Sequence, residues 1–153
     1  MKTEIHRNLL SINELEEIQQ ILTKSYWGFG YISNDIEKPI WNFDKEKGRK
    51  AAEIVASKFE NNELIDWHIN GQTFQLSGSL HDDSANGSKL AVVFFPHDWF
   101  FEWGGRLHIF NNSGVMSVTP EKNLCVSFDS KLKHYAEAPV VNKLRVSIGL
   151  KLK

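Results

Sequence analysis

At 153 residues the chain has the length of one domain with a genuine core, too short for two comfortable ones. Hydrophobic residues make up 41%, charged residues 24%, and the formal net charge is -1, which argues against a nucleic-acid surface or a polybasic membrane patch. Cys125 is the single cysteine, so an intrachain disulfide is excluded and a reducing cytoplasm is the expected compartment.

The opening "MKTEIHRNLL" has no apolar run of signal-peptide length. "SINE" at Ser11–Glu14 is a capping box flanked at staple spacing by Leu10 and Leu15, and Leu15, Ile18, Ile21 and Leu22 continue as a helical stripe. A second helix is expected over 45–61, with Ala51, Ile54, Val55 and Phe59 facing inward and Gly48 weakening its first turns. Between the helices, "YWGFGYISND" and "EKPIWNF" carry Gly28, Gly30 and Pro39 and read as an ordered aromatic loop.

From Asp66 the pattern changes to short strands. "DWHI" and "TFQL" flank Asn70-Gly71, a hairpin signal. Further strands are expected over 89–95, 105–110, 115–118, 123–128 and 145–152, separated by the turn clusters "SANGS", "NNSG" and "TPEKN". "LAVVFF", among the longest apolar runs, is far too short to span a membrane as a helix. Many short strands in one late block predict an α+β chain, mainly β: an antiparallel sandwich or jelly roll with N-terminal helices on one face. Residues 1–65 would then be a helical support region and 66–153 the core of a single domain. Cys125, in "NLCVSF", reads as a small buried hydrophobe.

There are six histidines: His6, His68, His81, His97, His108 and His134. Most read as surface residues. In "SLHDDS", however, His81 and Asp83 are two apart, so on an extended chain both project to one face while Asp82 points away. His134, after a buried strand and before the last one, is placed to be a third ligand. Two histidines and one carboxylate on one face of an octahedron leave open positions, the pattern of non-haem iron oxygenases. The plainer reading of "SLHDDS" is an exposed acidic turn. Arg145 opens the β-rich "RVSIGLKL"; buried there, it needs an anionic partner, either a dicarboxylate gripped in bidentate fashion or an ordinary salt bridge.

The ordered segments "NGQTF…GSLHDD", "VVFFPHDWFFEWGGRLHIF", "PEKNLCVSFDSKLKHYAEAP" and "LRVSIGLKL" together resemble the iron(II)/2-oxoglutarate-dependent dioxygenases, specifically the prolyl-4-hydroxylase-like branch. The resemblance covers the span from about Asn70 to Leu152. It implies a double-stranded β-helix (jelly roll) and makes His81, Asp83 and His134 the Fe(II) ligands. It makes Arg145 the clamp on the distal carboxylate of the co-substrate 2-oxoglutarate, assisted by Ser147, with ascorbate as a further cofactor. Gly104 and Gly105 become a tight turn, with Trp99 and Trp103 packing around it. Many relatives place a tyrosine in the strand before "DW", hydrogen-bonded to the co-substrate; here that position is Phe94, followed by Pro96 and an exposed His97. The implied activity is hydroxylation of an unactivated C–H bond, on a peptidyl proline or another protein or peptide residue, with release of succinate and CO2. The aromatic loop and "SANGS" would border the mouth of the site. The alternative is a jelly-roll module that binds a metal or ligand without oxygenase activity. A small-molecule substrate stays open. No nucleic-acid or membrane partner is expected, and the chain is expected to be a monomer or a homodimer.

Overall fold

The computed structural model describes residues 2–32, 38–83, 89–95 and 98–153, with the Phe95 side chain outside that set. The elements run β1 (Glu4–Arg7), α1 (Ile12–Leu22), β2 (Trp27–Tyr31), β3 (Ile40–Phe43), α2 (Arg49–Ala56), β4 (Leu64–Gln72), β5 (Lys89–Phe95), β6 (Leu107–Asn111), β7 (Gly114–Val118), β8 (Leu124–Asp129), β9 (His134–Ala136) and β10 (Arg145–Leu152). A seven-stranded sheet has the order β1-β8-β5-β10-β4-β3-β2, and a three-stranded sheet the order β7-β6-β9. Every pairing in both sheets is antiparallel.

The capping box forms as expected: Ser11 Oγ accepts from the Glu14 N–H at 3.2 Å, and Glu14 Oε2 accepts from the Ser11 N–H at 2.8 Å. Ile18 and Leu22 are the fully covered positions of the α1 stripe. The second helix is shorter than expected. Gly48 is its N-cap without a side-chain bond, residues 45–48 are a turn, and the helix ends at Ala56. It still buries Ala51, Ala52 and Val55 completely.

Alternation along the central strands separates two cores. Val146, Ile148, Leu150 and Leu152 of β10, with Trp67 and Ile69 of β4 and Ala91 and Val93 of β5, meet both helices on the outer face of the large sheet. Leu90, Phe94, Val126 and Phe128 on the inner face meet Leu107, Ile109 and Val118 of the small sheet. Cys125 is wholly buried in the outer core, as expected, and burial pushes its thiol up to about 12.

Three expectations are corrected. The stretch around Asn70-Gly71 is no hairpin: Leu64–Gln72 is one strand, with Asn70 opposite Ser147 and Gly71 opposite Val146 on β10. Glycine is needed there for close packing, because a Cβ would lie 2.9 Å from Leu144 Cδ1 and 3.1 Å from both Trp27 Cζ3 and Trp41 Cβ. The aromatic "loop" forms β2 and β3, which extend the large sheet to its far edge; its 33–37 segment lies outside the described residues. Two short strands went unanticipated, β1 and β9. The "SANGS" turn and the exposed placement of His97 also lie outside the described residues, whereas "NNSG" and "TPEKN" separate strands as expected.

Candidate metal and co-substrate site

His81, Asp83 and His134 come together. One ligand atom from each lies within 4.8 Å of the others. The backbone brings the histidines into line: the His81 N–H donates to His134 O at 3.0 Å and the His134 N–H donates to His81 O at 2.7 Å, an isolated antiparallel bridge. The Asp83 N–H donates to Ser130 O at 2.8 Å, fixing the loop two residues on. The i, i+2 spacing then does what strand geometry requires: Asp83 turns toward both rings, while Asp82 is exposed.

Both imidazoles are oriented by main-chain carbonyls. His81 Nδ1 lies 2.7 Å from Ser79 O and His134 Nδ1 lies 2.9 Å from Leu132 O. A carbonyl only accepts, so each Nδ1 carries its proton and each Nε2 keeps a lone pair for a metal. These Nε2 atoms lie 3.8 Å and 3.5 Å from Asp83 Oδ2. The neighbouring His134 ring, ahead of any other cause, holds the Asp83 carboxyl below its ordinary range, against the opposing effect of burial. His134 is buried, with its ring edge against Phe128 at 5.1 Å between centroids. Two neutral imidazoles and one carboxylate suit iron(II), and the same donor set takes other divalent first-row ions.

Arg145 is 2% exposed and occupies the same cavity, a space of about 200 Å³ lined also by Ser147, Ala136, Leu107 and Gly149. Its Nε donates to Gly105 O at 2.6 Å, and its Nη1 donates to Gln72 Oε1 at 2.9 Å and to Ser147 Oγ at 3.4 Å. Among the described residues no carboxylate pairs with it, and its buried Nη2 has no hydrogen-bond partner. Burial pulls the guanidinium down to about 10, with only Glu137 acting in the other direction. A buried cation with one unused donor fits a carboxylate ligand, and leaving it unpaired is costly. Phe94 lies under this group, its ring centroid 5.1 Å from the guanidinium carbon, supplying a π face instead of a hydroxyl.

Gln72 went unnoticed in the sequence and is the residue that aims Arg145. Its Nε2 donates to Leu76 O at 2.8 Å and to Ala136 O at 3.0 Å, which fixes Oε1 toward the guanidinium. The signal was present in "DWHINGQ", a strict polar–apolar alternation that places Asp66, His68, Asn70 and Gln72 on one face. The first three line the cavity, so His68 is no ordinary surface residue. Gly104 and Gly105 make the expected turn, with φ of +67° and +71°. Gly105 does more: a Cβ there would come within 3.1 Å of Arg145 Cδ. Trp99 and Trp103 pack edge to face around the turn, and Trp99 Nε1 donates to Gly104 O at 2.9 Å.

No family model and no curated protein sequence matches the chain. Solved structures do match. A prolyl-4-hydroxylase from Pseudomonas putida superimposes with a TM-score of 0.71 at 16% identity, over 99% of this chain and 92% of that one. A 2OG-Fe(II) oxygenase family oxidoreductase from Burkholderia pseudomallei gives 0.76 at 11% identity, over 99% and 85%. A prolyl hydroxylase from Trichoplax adhaerens, in complex with a hypoxia inducible factor oxygen degradation domain peptide fragment, gives 0.71 at 15% identity, over 98% and 82%. The chain therefore has the fold of the 2OG-Fe(II) oxygenases.

Proposed function

We propose that this chain is an iron(II)- and 2-oxoglutarate-dependent oxygenase on a jelly-roll scaffold, hydroxylating an unactivated C–H bond of a protein or peptide, a peptidyl proline first among the candidates. One observation carries the reading: the His81–Asp83–His134 group and the buried Arg145, whose Nη2 has no hydrogen-bond partner among the described residues, line the same cavity. His81, Asp83 and His134 would hold the metal, and Arg145, with Ser147 beside it and Phe94 beneath it, would hold the distal carboxylate of the co-substrate. When bound, iron(II) and 2-oxoglutarate supply the oxidising chemistry, in which O2 and the co-substrate become succinate, CO2 and one hydroxyl on the substrate.

The protein's own part is placement. Ser79 O and Leu132 O fix the tautomers of the two histidines, so that both Nε2 lone pairs point at one spot. Gln72 and Gly105 hold the guanidinium in place at the cavity, through Nη1 and Nε respectively. Among the described residues, Leu90, Val92 and Leu107 give that cavity its apolar wall. The prolyl hydroxylase neighbour in complex with a peptide fragment supports a peptide substrate.

The test is succinate formation by the purified chain with Fe(II), 2-oxoglutarate and a peptide pool, read together with mass spectrometry for a gain of one oxygen. Succinate should require both the metal and the co-substrate, disappear in His81→Ala and Asp83→Ala, and persist in Asp82→Ala. Turnover by His81→Ala would overturn the ligand assignment. Phe94, which offers no hydroxyl, favours a second reading, a module that binds without turnover. That reading predicts metal binding with no 2-oxoglutarate binding at millimolar concentration and no succinate.

A further inference from the structure

The cavity has a second half that neither the triad nor Arg145 uses. Along β10 the inward residues Arg145, Ser147, Gly149 and Lys151 all line it. At about 3.3 Å per residue, Lys151 lies roughly 20 Å along the strand from Arg145, so the two cations mark opposite ends of one face. Lys151 is half-buried and forms no ion pair among the described residues. Its charge reaches Asp83, where it helps to hold the carboxyl low.

The nearby carboxylates are already committed. Asp66 pairs with Lys45 and accepts from the Trp67 N–H at 2.9 Å. Asp83 belongs to the metal group. Once those charges are matched, the Lys151 ammonium is in surplus among the described residues.

Across from it, Tyr31, His68 and Asp66 form a chain. His68 Nε2 lies 3.3 Å from Asp66 Oδ2, and Nδ1 lies 3.4 Å from Tyr31 Oη. Burial lowers the His68 pKa, with Asp66 acting against it, and burial also raises that of Tyr31. The imidazole is therefore neutral at pH 7, with its proton on Nε2 toward Asp66. Nδ1 accepts the phenolic proton, so the Tyr31 oxygen has only lone pairs left to offer the cavity. This half of the site thus presents one cation without an ion pair among the described residues and one acceptor.

We propose that it selects a substrate bearing a carboxylate, bound by Lys151, close to an N–H or O–H that donates to Tyr31. The inference rests on the oxygenase reading and narrows its substrate to an acidic peptide segment or a small carboxylic acid. Gly149, between Ser147 and Lys151, keeps the floor clear for it; the nearest non-neighbour atom to a Cβ there is His68 O at 3.8 Å.

The test uses the full chain loaded with Mn(II) and saturated with 2-oxoglutarate, titrated with two matched probe pairs. One pair is a capped Ala-Asp-Ala tripeptide and its Ala-Asn-Ala counterpart. The other is N-acetylalanine and N-acetylalaninamide. In one pair the carboxylate member should bind at least tenfold tighter; the peptide pair responding identifies an acidic peptide, the other a free acid. Lys151→Met should erase that preference and Lys151→Arg should keep it, with a thermal midpoint confirming that each variant is folded. Tyr31→Phe should weaken both members of the responding pair alike, by several-fold. Absence of any preference, or a preference that survives Lys151→Met, overturns the proposal. Failure of 2-oxoglutarate to bind the metal-loaded wild type is a different outcome, and it brings down the oxygenase reading instead.

Discussion

His81 and His134 exchange both of their backbone hydrogen bonds, at 3.0 Å and 2.7 Å, so the main chain itself brings the two imidazoles together. Replacing a ring therefore removes a ligand without dissolving the bridge. His134→Ala should stay folded and cost about 1–2 kcal/mol in the metal-free protein, mostly through lost packing on Phe128. Its distinguishing effect is the loss of metal-dependent stabilisation, about 2.7 kcal/mol for wild type at a metal concentration one hundred times Kd. Paired thermal melts with and without Mn(II) measure both quantities. An unchanged metal-induced shift in the variant would exclude His134 as a ligand.

Arg145 predicts a trade between binding and stability. Its guanidinium is completely buried, has no anionic partner among the described residues and is pulled down to about 10, all signs of a charge held at a cost. Arg145→Met should leave the ligand-free melting temperature unchanged or raise it. The same variant should lose on the order of 100-fold or more in 2-oxoglutarate affinity, about 3 kcal/mol, with metal affinity preserved. Calorimetric titration of co-substrate into metal-loaded protein, alongside thermal melts, reads both effects.

Gly71 is a packing position, and its replacement should be felt as strain. A methyl group there meets Leu144, Trp27 and Trp41 at 2.9–3.1 Å. Gly71→Ala should cost about 1–3 kcal/mol, lowering the melting temperature by several degrees. Gly28→Ala, where nothing lies within 4 Å of the added carbon, is the control and should show a far smaller change.

Cys125 should be chemically silent in the native protein. Burial raises its thiol to about 12, so iodoacetamide at pH 8 should leave it unmodified until the chain unfolds, as intact-mass measurement with and without denaturant would show. The sign of the pH effect follows. The folded thiol holds its proton above the ordinary value of 9.0, so stability from this group is complete below that pH and is lost as pH rises toward about 12. Cys125→Ala should flatten that part of the alkaline stability profile.

The sequence shows clearly whatever depends on local geometry. The α1 cap, the i, i+2 convergence of His81 and Asp83, and the inward placement of Arg145 follow from side-chain reach and strand alternation. Lys89–Phe95 and Arg145–Leu152 end where the hydrophobic pattern ends. Errors arose where tertiary context overrode a local cue. Asn70-Gly71 carries a turn signal, yet the pair is held in a strand because β3 and β10 flank it and Gly71 fits beneath two tryptophans and a leucine. β2 was obscured by its glycines; it is exposed along most of its length and shows little hydrophobic alternation. β9 has only three residues, too few for any period to register. Gln72 was missed because its role as the brace of Arg145 emerges only once β4 and β10 are seen to pair from end to end.

That pairing turns β10 into a partition wall. Its even-numbered residues belong to the helices and its odd-numbered residues to the cavity, and nothing but the phase of the strand keeps the two sets apart. A slip of one residue against β4 and β5 would drive the Arg145 charge into the apolar seam beneath α2 and turn Val146 toward the cavity. Chemistry and folding are thus written on opposite sides of one short segment. Substitutions on either side can be varied separately, whereas an insertion or deletion within it would cost both at once.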